Sequence, residues 1–242
     1  PRYIEVPSRN CIADQVELTV EGNFFDGMVM LSTCDSIVPG HLMGAARCNI
    51  PTILVTGGYS ERHVDLDLDA PVASEPGVGV LYGNIAPEGA ILKIAGVPKQ
   101  LMKFRGPANV FDSLDEARDA LRAGKIKPGD ACVLRFMGLK ARFGTTAFPF
   151  QDELEGYKAL FESCAIITDG RYSGASAGLS VGYCSPEAAL GSALAIIENG
   201  DIIEIDVAAR QMNVLLSDYP PMLRLFSLNV GSMAKGGAWK FI

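Results

Sequence analysis

Four consecutive stretches decide the fold: Gly27-Met28-Val29-Met30-Leu31-Ser32; Cys34-Asp35-Ser36-Ile37-Val38-Pro39-Gly40; His41-Leu42-Met43-Gly44-Ala45-Ala46-Arg47; and Ile50-Pro51-Thr52-Ile53-Leu54-Val55-Thr56-Gly57-Gly58. The first is a short apolar run and reads as a buried strand. The second is punctuated by proline and glycine and reads as a turn. The small residues of the third suit a helix packed closely on a sheet, and the fourth resumes as a strand. Strand, loop, helix, strand is a crossover unit, and in such units the loops beyond the carboxyl ends of strands are the usual ligand sites. Cys34 and Asp35 sit in that loop.

Upstream, Cys11 to Gly22 carries apolar residues at helical intervals and ends on a glycine, which predicts a helix and a short link. Downstream, the composition turns acidic and proline-punctuated, as in His63-Val64-Asp65-Leu66-Asp67-Leu68-Asp69-Ala70-Pro71, and reads as a linker. The expected organisation is an N-terminal α/β domain over 1–60, a linker or junction over 61–76, a C-terminal domain over 77–218 and a tail over 219–242. In the C-terminal part, short apolar runs alternate with turn signals: Val78–Tyr82, Ala90–Ile94, Ala108–Phe111, Ala131–Phe136, Cys164–Thr168 and Asp201–Ile205. Between them Ser113 and Glu116 form a capping box that opens a helix closing at Gly124, and Ser185–Gly200 predicts another, with Pro186 in its first turn and a strand towards its end. The fold class is therefore α/β, its second half a β-rich, barrel-like domain. No internal repeat of fixed period is visible.

The 242 residues, 48% of them hydrophobic, suffice for one large or two modest domains with a proper core. A net charge of -7 offers no broad attraction for phosphate backbones or anionic lipid, so nucleic-acid and membrane partners are not expected. No apolar run approaches the roughly 20 residues of a bilayer crossing, and Pro1-Arg2-Tyr3-Ile4-Glu5 lacks the plan of a signal peptide. The expected setting is cytoplasmic or an organelle matrix. Six cysteines without CxxC spacing indicate neither a zinc ribbon nor a disulfide framework, and Cys48, Cys132, Cys164 and Cys184 read as core residues.

Two places carry candidate chemistry. Taken alone, Cys34 could be structural and Asp35 a helix cap. Ile166-Ile167-Thr168-Asp169-Gly170-Arg171-Tyr172-Ser173-Gly174-Ala175-Ser176 runs an apolar strand into a glycine-flanked serine, which is either a tight turn or an anion cradle of backbone N–H groups. A nucleotide-binding reading of Gly170–Gly178 lacks a Walker-type lysine. Asp169 and Arg171 could form a mutually paired scaffold under the serine. His41, on a helix expected to pack, and His63, in the acidic linker, are poor catalytic candidates.

Cys34-Asp35-Ser36-Ile37-Val38-Pro39-Gly40 with Gly44 resembles the first signature of the dihydroxy-acid and phosphogluconate dehydratase family, and Thr168-Asp169-Gly170-Arg171-Tyr172-Ser173-Gly174 resembles its second. Pro7-Ser8-Arg9, Gly83-Asn84-Ile85-Ala86-Pro87-Glu88-Gly89 and Phe104-Arg105-Gly106-Pro107 extend the likeness. The resemblance implies a hydro-lyase that dehydrates a 2,3-dihydroxy carboxylic acid, branched-chain or sugar acid, to a 2-keto acid. It implies an iron–sulfur cluster, 2Fe-2S or 4Fe-4S, held by three cysteines of which Cys34 matches one, and a magnesium ion with Asp35 as a ligand. Ser173 matches the serine that takes the Cα proton, Ser176 and Ser36 are placed to bind substrate, and the family habit implies a homodimer. Two positions depart from the pattern: Ser36 stands where the family has a lysine that carries a carbamate, and Met137 where it has a glutamate on magnesium. The chain is also under half the family's usual length, so the resemblance is to an abridged or divergent member, and it implies a partial N-terminal α/β three-layer domain with a barrel-like, swivelling C-terminal domain. Either the polypeptide is short, or these are the ordered pieces of a longer one; a non-catalytic relative with a ligand-binding or regulatory role is the alternative.

Overall fold

The structure, a computed structural model, describes residues 5–34, 36–57, 77–142 and 144–215. The expected linker at 61–76 with His63, the tail at 219–242 and Asp35 lie outside the described residues. The chain divides into two compact units: Pro1–Ser74 with Tyr172–Ala175, and Glu75–Arg171 with Ser176–Ile242.

In the first unit the order is α1 (Glu5–Asn23), β1 (Met28–Ser32), α2 (Ile37–Cys48) and β2 (Thr52–Thr56). The two strands pair in parallel, Met28 opposite Thr52 through Ser32 opposite Thr56, as a crossover helix between them demands. The small residues of α2 serve a different neighbour from the sheet that was expected. A Cβ on Gly40 would lie 2.8 Å from the Ile12 side chain, and one on Gly44 2.7 Å from that of Val16, so these glycines let α2 approach α1. Arg47 ties the same helices by bonding Asp14 at 2.6 Å and Glu17 at 3.1 Å. Asn49, left-handed at φ 49°, ends α2 by returning its N–H to Ala45. The expected buried strand is buried on one side only: Met30 and Ser32 face inwards, whereas Val29 and Leu31 are exposed.

The second unit contains β3 (Val78–Leu81), β4 (Gly89–Lys93), β5 (Lys103–Phe111), α3 (Leu114–Arg122), β6 (Ala131–Leu134), α4 (Leu139–Arg142), α5 (Phe148–Glu155), α6 (Lys158–Phe161), β7 (Ala165–Thr168), β8 (Leu179–Ser185), β9 (Ile202–Asp206) and β10 (Gln211–Leu215). Eight strands run in the order β10-β9-β5-β6-β7-β8-β4-β3, parallel from β5 to β8 and antiparallel at both flanks. The ends of this sheet meet. Tyr82 bridges Gln211, its N–H going to Arg210 O and its carbonyl accepting from Met212, while the Asn84 amide group exchanges bonds with the backbone of Val214 at 2.9 and 2.8 Å. Gly83 between them has φ +152°, and a Cβ there would stand 1.9 Å from Met212 O, so glycine is required for this closure. The α/β class with a barrel-like second half is thus borne out. Leu81, Ile167, Val181, Ile203 and Met212 fill its interior.

The capping box of α3 forms: Ser113 Oγ accepts from Glu116 N at 3.1 Å, and the Glu116 carboxylate accepts from Asp112 N at 3.0 Å. The helix expected over Ser185–Gly200 does not form. Two short 3-10 turns, Ala188–Leu190 and Ala193–Ile196, replace it, because Gly191 at φ +81° reverses the chain between them. Cys132, Cys164 and Cys184 are core residues as expected, whereas Cys48 is only half-buried at the open end of α2.

Candidate active site

The connection from β7 to β8 explains why the second signature is glycine-rich and has no helical pattern. These strands are adjacent and parallel, Ala165 opposite Leu179, so residues 169–178 leave the carboxyl end of β7 and must return to the amino end of β8. Ten residues are too few for a helical crossover, and an irregular loop results. Its first residue is its anchor. Asp169 is buried, and its carboxylate accepts from the backbone N–H of Met137 at 2.8 Å, Ala188 at 3.0 Å and Phe136 at 3.2 Å. Burial raises the pKa of this carboxyl group, and the three amides pull against that shift.

The pair expected between Asp169 and Arg171 is therefore not the scaffold. Asp169 takes backbone amides, and Arg171 Nε donates to Gly144 O. Thr145 and Ala147 complete the bracing, bonding Arg171 N and O through their own main chain. Two aromatic residues hold left-handed backbone beside the anchor: Phe136 at φ 61°, with its N–H on Asp169, and Tyr183 at φ 56°, with its N–H on Gly170 O. Left-handed geometry in bulky residues is costly and persists only where surrounding contacts impose it. Sequence reading gave Asp169 the wrong partner and missed Glu187, whose carboxylate accepts from the first amides of α4, Leu139 N at 3.0 Å and Lys140 N at 2.9 Å.

Further along the loop, Ser173 is half-buried and its Oγ accepts from Ala175 N at 3.2 Å. Ser176 is 2% exposed, and its Oγ has no hydrogen-bond partner among the described residues. Next to it, Ala177 N donates to the buried Gln151 side chain at 3.4 Å.

In the first unit, Cys34 is exposed just beyond β1, and its carbonyl accepts from Val38 N in the first turn of α2. Ser36 occupies the N-cap position of α2 without a side-chain capping bond. The loop is braced at its base by Ser32 Oγ and His41 Nδ1, 2.8 Å apart, which explains why His41 is half-buried.

The second unit and the first each match a model of known sequences. The dihydroxy-acid/6-phosphogluconate dehydratase C-terminal model covers residues 64–230, and the corresponding N-terminal model covers residues 2–85. The chain belongs to the dihydroxy-acid/6-phosphogluconate dehydratase family. Among curated members, the dihydroxy-acid dehydratase of Bifidobacterium adolescentis is 42% identical over 221 residues, 88% of this chain and 36% of the relative. That of Bifidobacterium longum subsp. infantis is 38% identical over 208 residues, 83% of this chain and 34% of the relative. The enzyme of Caldanaerobacter subterraneus subsp. tengcongensis is 45% identical over 157 residues, 65% of this chain and 28% of the relative. The chain spans about a third of the length of these dehydratases.

The metal centres implied by the resemblance do not fit the described residues. Among them no group of three or more His, Cys, Asp or Glu could hold a metal ion. Burial raises the pKa of Cys132, Cys164 and Cys184, which favours neutral thiols over the thiolates that ligate iron. Cys48 stands at the far end of the 12-residue α2 from Cys34, and such a helix is about 18 Å long. Cys34 alone is exposed in a signature loop. At the position that the resemblance gives to a magnesium ligand, Met137 is buried and offers a thioether, a poor ligand for a hard cation.

Proposed function

We propose that this chain takes part in dehydrating a 2,3-dihydroxy carboxylic acid, branched-chain or sugar acid, to the 2-keto acid. Ser173 Oγ receives the proton from C2, the hydroxyl leaves C3, and the enol so formed tautomerises; one water is lost. A serine hydroxyl is too weak an acid to serve as base unaided near neutral pH, so Ser173 acts only where positive charge lowers its pKa. By resemblance, Asp35 would help to hold a magnesium ion that would supply such charge, and Cys34 an iron–sulfur cluster that would supply a Lewis acid. Because neither ligand set is complete among the described residues, the steps assigned to this chain are those of its own serines.

The observation that carries the reading is the buried Ser176 Oγ, without a partner among the described residues, in the loop that bears Ser173. A buried hydroxyl without a partner costs about 1–3 kcal/mol, a cost removed when a substrate oxygen bonds to it. Ser36, at the amino end of α2, is proposed as a second substrate contact. A homodimer in the cytoplasm or an organelle matrix completes the proposal; among the described residues no helix is long and apolar enough to cross a membrane.

The test is keto-acid release from a panel of branched-chain and sugar 2,3-dihydroxy acids, using protein isolated from its own cells. Release from one class is expected, with kcat reduced about 100-fold or more by Ser173→Ala and KM raised by Ser176→Ala. No keto acid from any member of the panel, or full activity in Ser173→Ala, refutes the proposal.

A further inference from the structure

Helix α5 carries a polar side chain where its packing calls for an apolar one. Phe150, Gln151 and Leu154 are its buried residues, and Gln151 is 1% exposed. A glutamine is seldom buried so fully, because its amide group must then find partners away from water. Its carbonyl oxygen accepts from Ala177 N–H at 3.4 Å, and its NH2 group donates to Glu155, one turn further along the helix, at 3.4 Å. Both bonds are long, yet among the described residues the Gln151 amide and Ala177 N–H have no other partners. The residues that open the same helix hold the other end of the signature loop: Arg171 O accepts from Ala147 N and from Thr146 Oγ1, each at 2.9 Å. The α5 segment therefore grips the loop twice, at Arg171 and at Ala177.

The second grip bears on Ser176. Ala177 N–H lies in one peptide plane with the Ser176 carbonyl and Cα, so holding that plane limits the directions in which Ser176 can aim its hydroxyl. Gly96 packs against the same peptide: a Cβ there would stand 3.2 Å from Ala177 Cα and 3.4 Å from Ser176 O. Beyond it, Gly178 N donates to Gly96 O and Ser180 Oγ to Ala177 O, both at 2.9 Å. Those bonds secure the far side of Ala177, and Gln151 alone reaches the N–H between Ala177 and Ser176. Ser176 Oγ makes no bond of its own among the described residues, so its direction depends on this peptide. We propose that Gln151 is a positioning residue: through Ala177 N–H it holds the Ser176–Ala177 peptide so that the Ser176 hydroxyl is aimed at a substrate oxygen. The inference rests on the dehydration reading for the nature of that substrate.

The full chain is compared with Gln151→Met, which keeps the volume but removes the acceptor, with Gln151→Glu, which keeps the acceptor, with Ser176→Ala, and with Gln151→Met combined with Ser176→Ala. Hydrogen exchange of the Ala177 amide is followed beside KM and kcat for the dihydroxy acid that the parent turns over. Gln151→Met should exchange Ala177 about ten-fold faster. It should raise KM about five-fold and leave kcat unchanged, because a binding contact and no reacting group is disturbed. Gln151→Glu should restore both values in acid, where its buried carboxyl is protonated, and lose them as pH rises and a second carboxylate forms beside Glu155. Added to Ser176→Ala, Gln151→Met should raise KM no further, since the hydroxyl that it aims is gone. Unchanged Ala177 exchange overturns the proposal, as do KM effects that multiply in the double variant, the mark of a general structural role. Should Gln151→Met not fold, the pH dependence of Gln151→Glu carries the test, and a flat profile overturns the proposal. Should the parent release no keto acid, the dehydration reading fails by itself, and Ala177 exchange in Gln151→Met still decides whether Gln151 holds this peptide.

Discussion

The two halves of the molecule use similar apolar strands to opposite effect. In the second unit the eight strands find partners on both sides, and the last two edges are sealed by Tyr82, Gly83 and Asn84 against β10. Ile167, in the middle of that sheet, is fully buried. Ile53, of the same residue type and also in a parallel strand, is mostly exposed. A strand's composition therefore does not by itself decide its burial, and the difference between the halves is the number of strands that flank each one. The sharpest way to break this comparison is to shave both residues. Ile167→Ala should cost about 3–4 kcal/mol, through lost burial and a cavity the packed neighbours cannot close. Ile53→Ala should cost less than about 0.5 kcal/mol in the isolated chain. Urea unfolding of the two variants decides, and equal losses would mean that the two environments do not differ as described.

Next in size is the anchor of the signature loop. Asp169 satisfies three amides drawn from segments 32 and 19 positions away in sequence, so its carboxylate holds the β6 and β8 exits to the β7 exit. Asp169→Asn keeps the volume but turns an NH2 group towards donors, and we expect about 2 kcal/mol of destabilisation together with faster exchange of the Met137 and Ala188 amides. Unchanged exchange at those two amides would show that the carboxylate is not what fixes the loop. The closure of the sheet should respond more weakly. Asn84→Ala removes the reciprocal pair with Val214 but leaves the Tyr82 bonds in place, so about 1–2 kcal/mol is expected. A loss confined to β3 and β10 protection would sharpen the account, and a loss spread over the first unit would contradict it.

What the sequence disclosed follows the range of the interactions involved. The crossover unit was legible because its switch from apolar run to small-residue helix is local, and α3 was legible because Ser113 and Glu116 are three residues apart. The strand β8, Leu179–Ser185, was not anticipated, since Ser180, Gly182 and Tyr183 interrupt its apolar pattern; it is a strand because β7 and β4 flank it. The closure by Asn84 depends on a partner 130 positions away, and nothing near residue 84 reports it. At the site, Ser173 was reached through resemblance, whereas the true role of Asp169 depends on Met137 and Ala188, whose contribution is backbone alone. Side-chain identity carries no trace of such a contact.

The smallest effect concerns surface charge, where the two units again differ. In the second unit Glu153 receives Arg118 at 2.6 Å and Arg122 at 2.5 Å, and its side chain is 20% exposed. In the first, Arg47 meets Asp14 and Glu17 with both carboxylates largely in water. The hydrogen bond from Arg122 is the main cause that lowers the Glu153 pKa. A carboxyl whose pKa is lowered on folding contributes stability that is fully present above its unfolded value, about 4.3, and is lost as pH falls through the folded value. Glu153→Gln should therefore cost about 1 kcal/mol at pH 7, and the gap from the parent should close towards pH 2–3. Asp14→Asn should change neither value measurably, because solvent screens that pair. Urea midpoints at the two pH values test both statements. A Glu153→Gln deficit that persists in acid would mean that packing of the side chain, not its charge, holds α3 to α5.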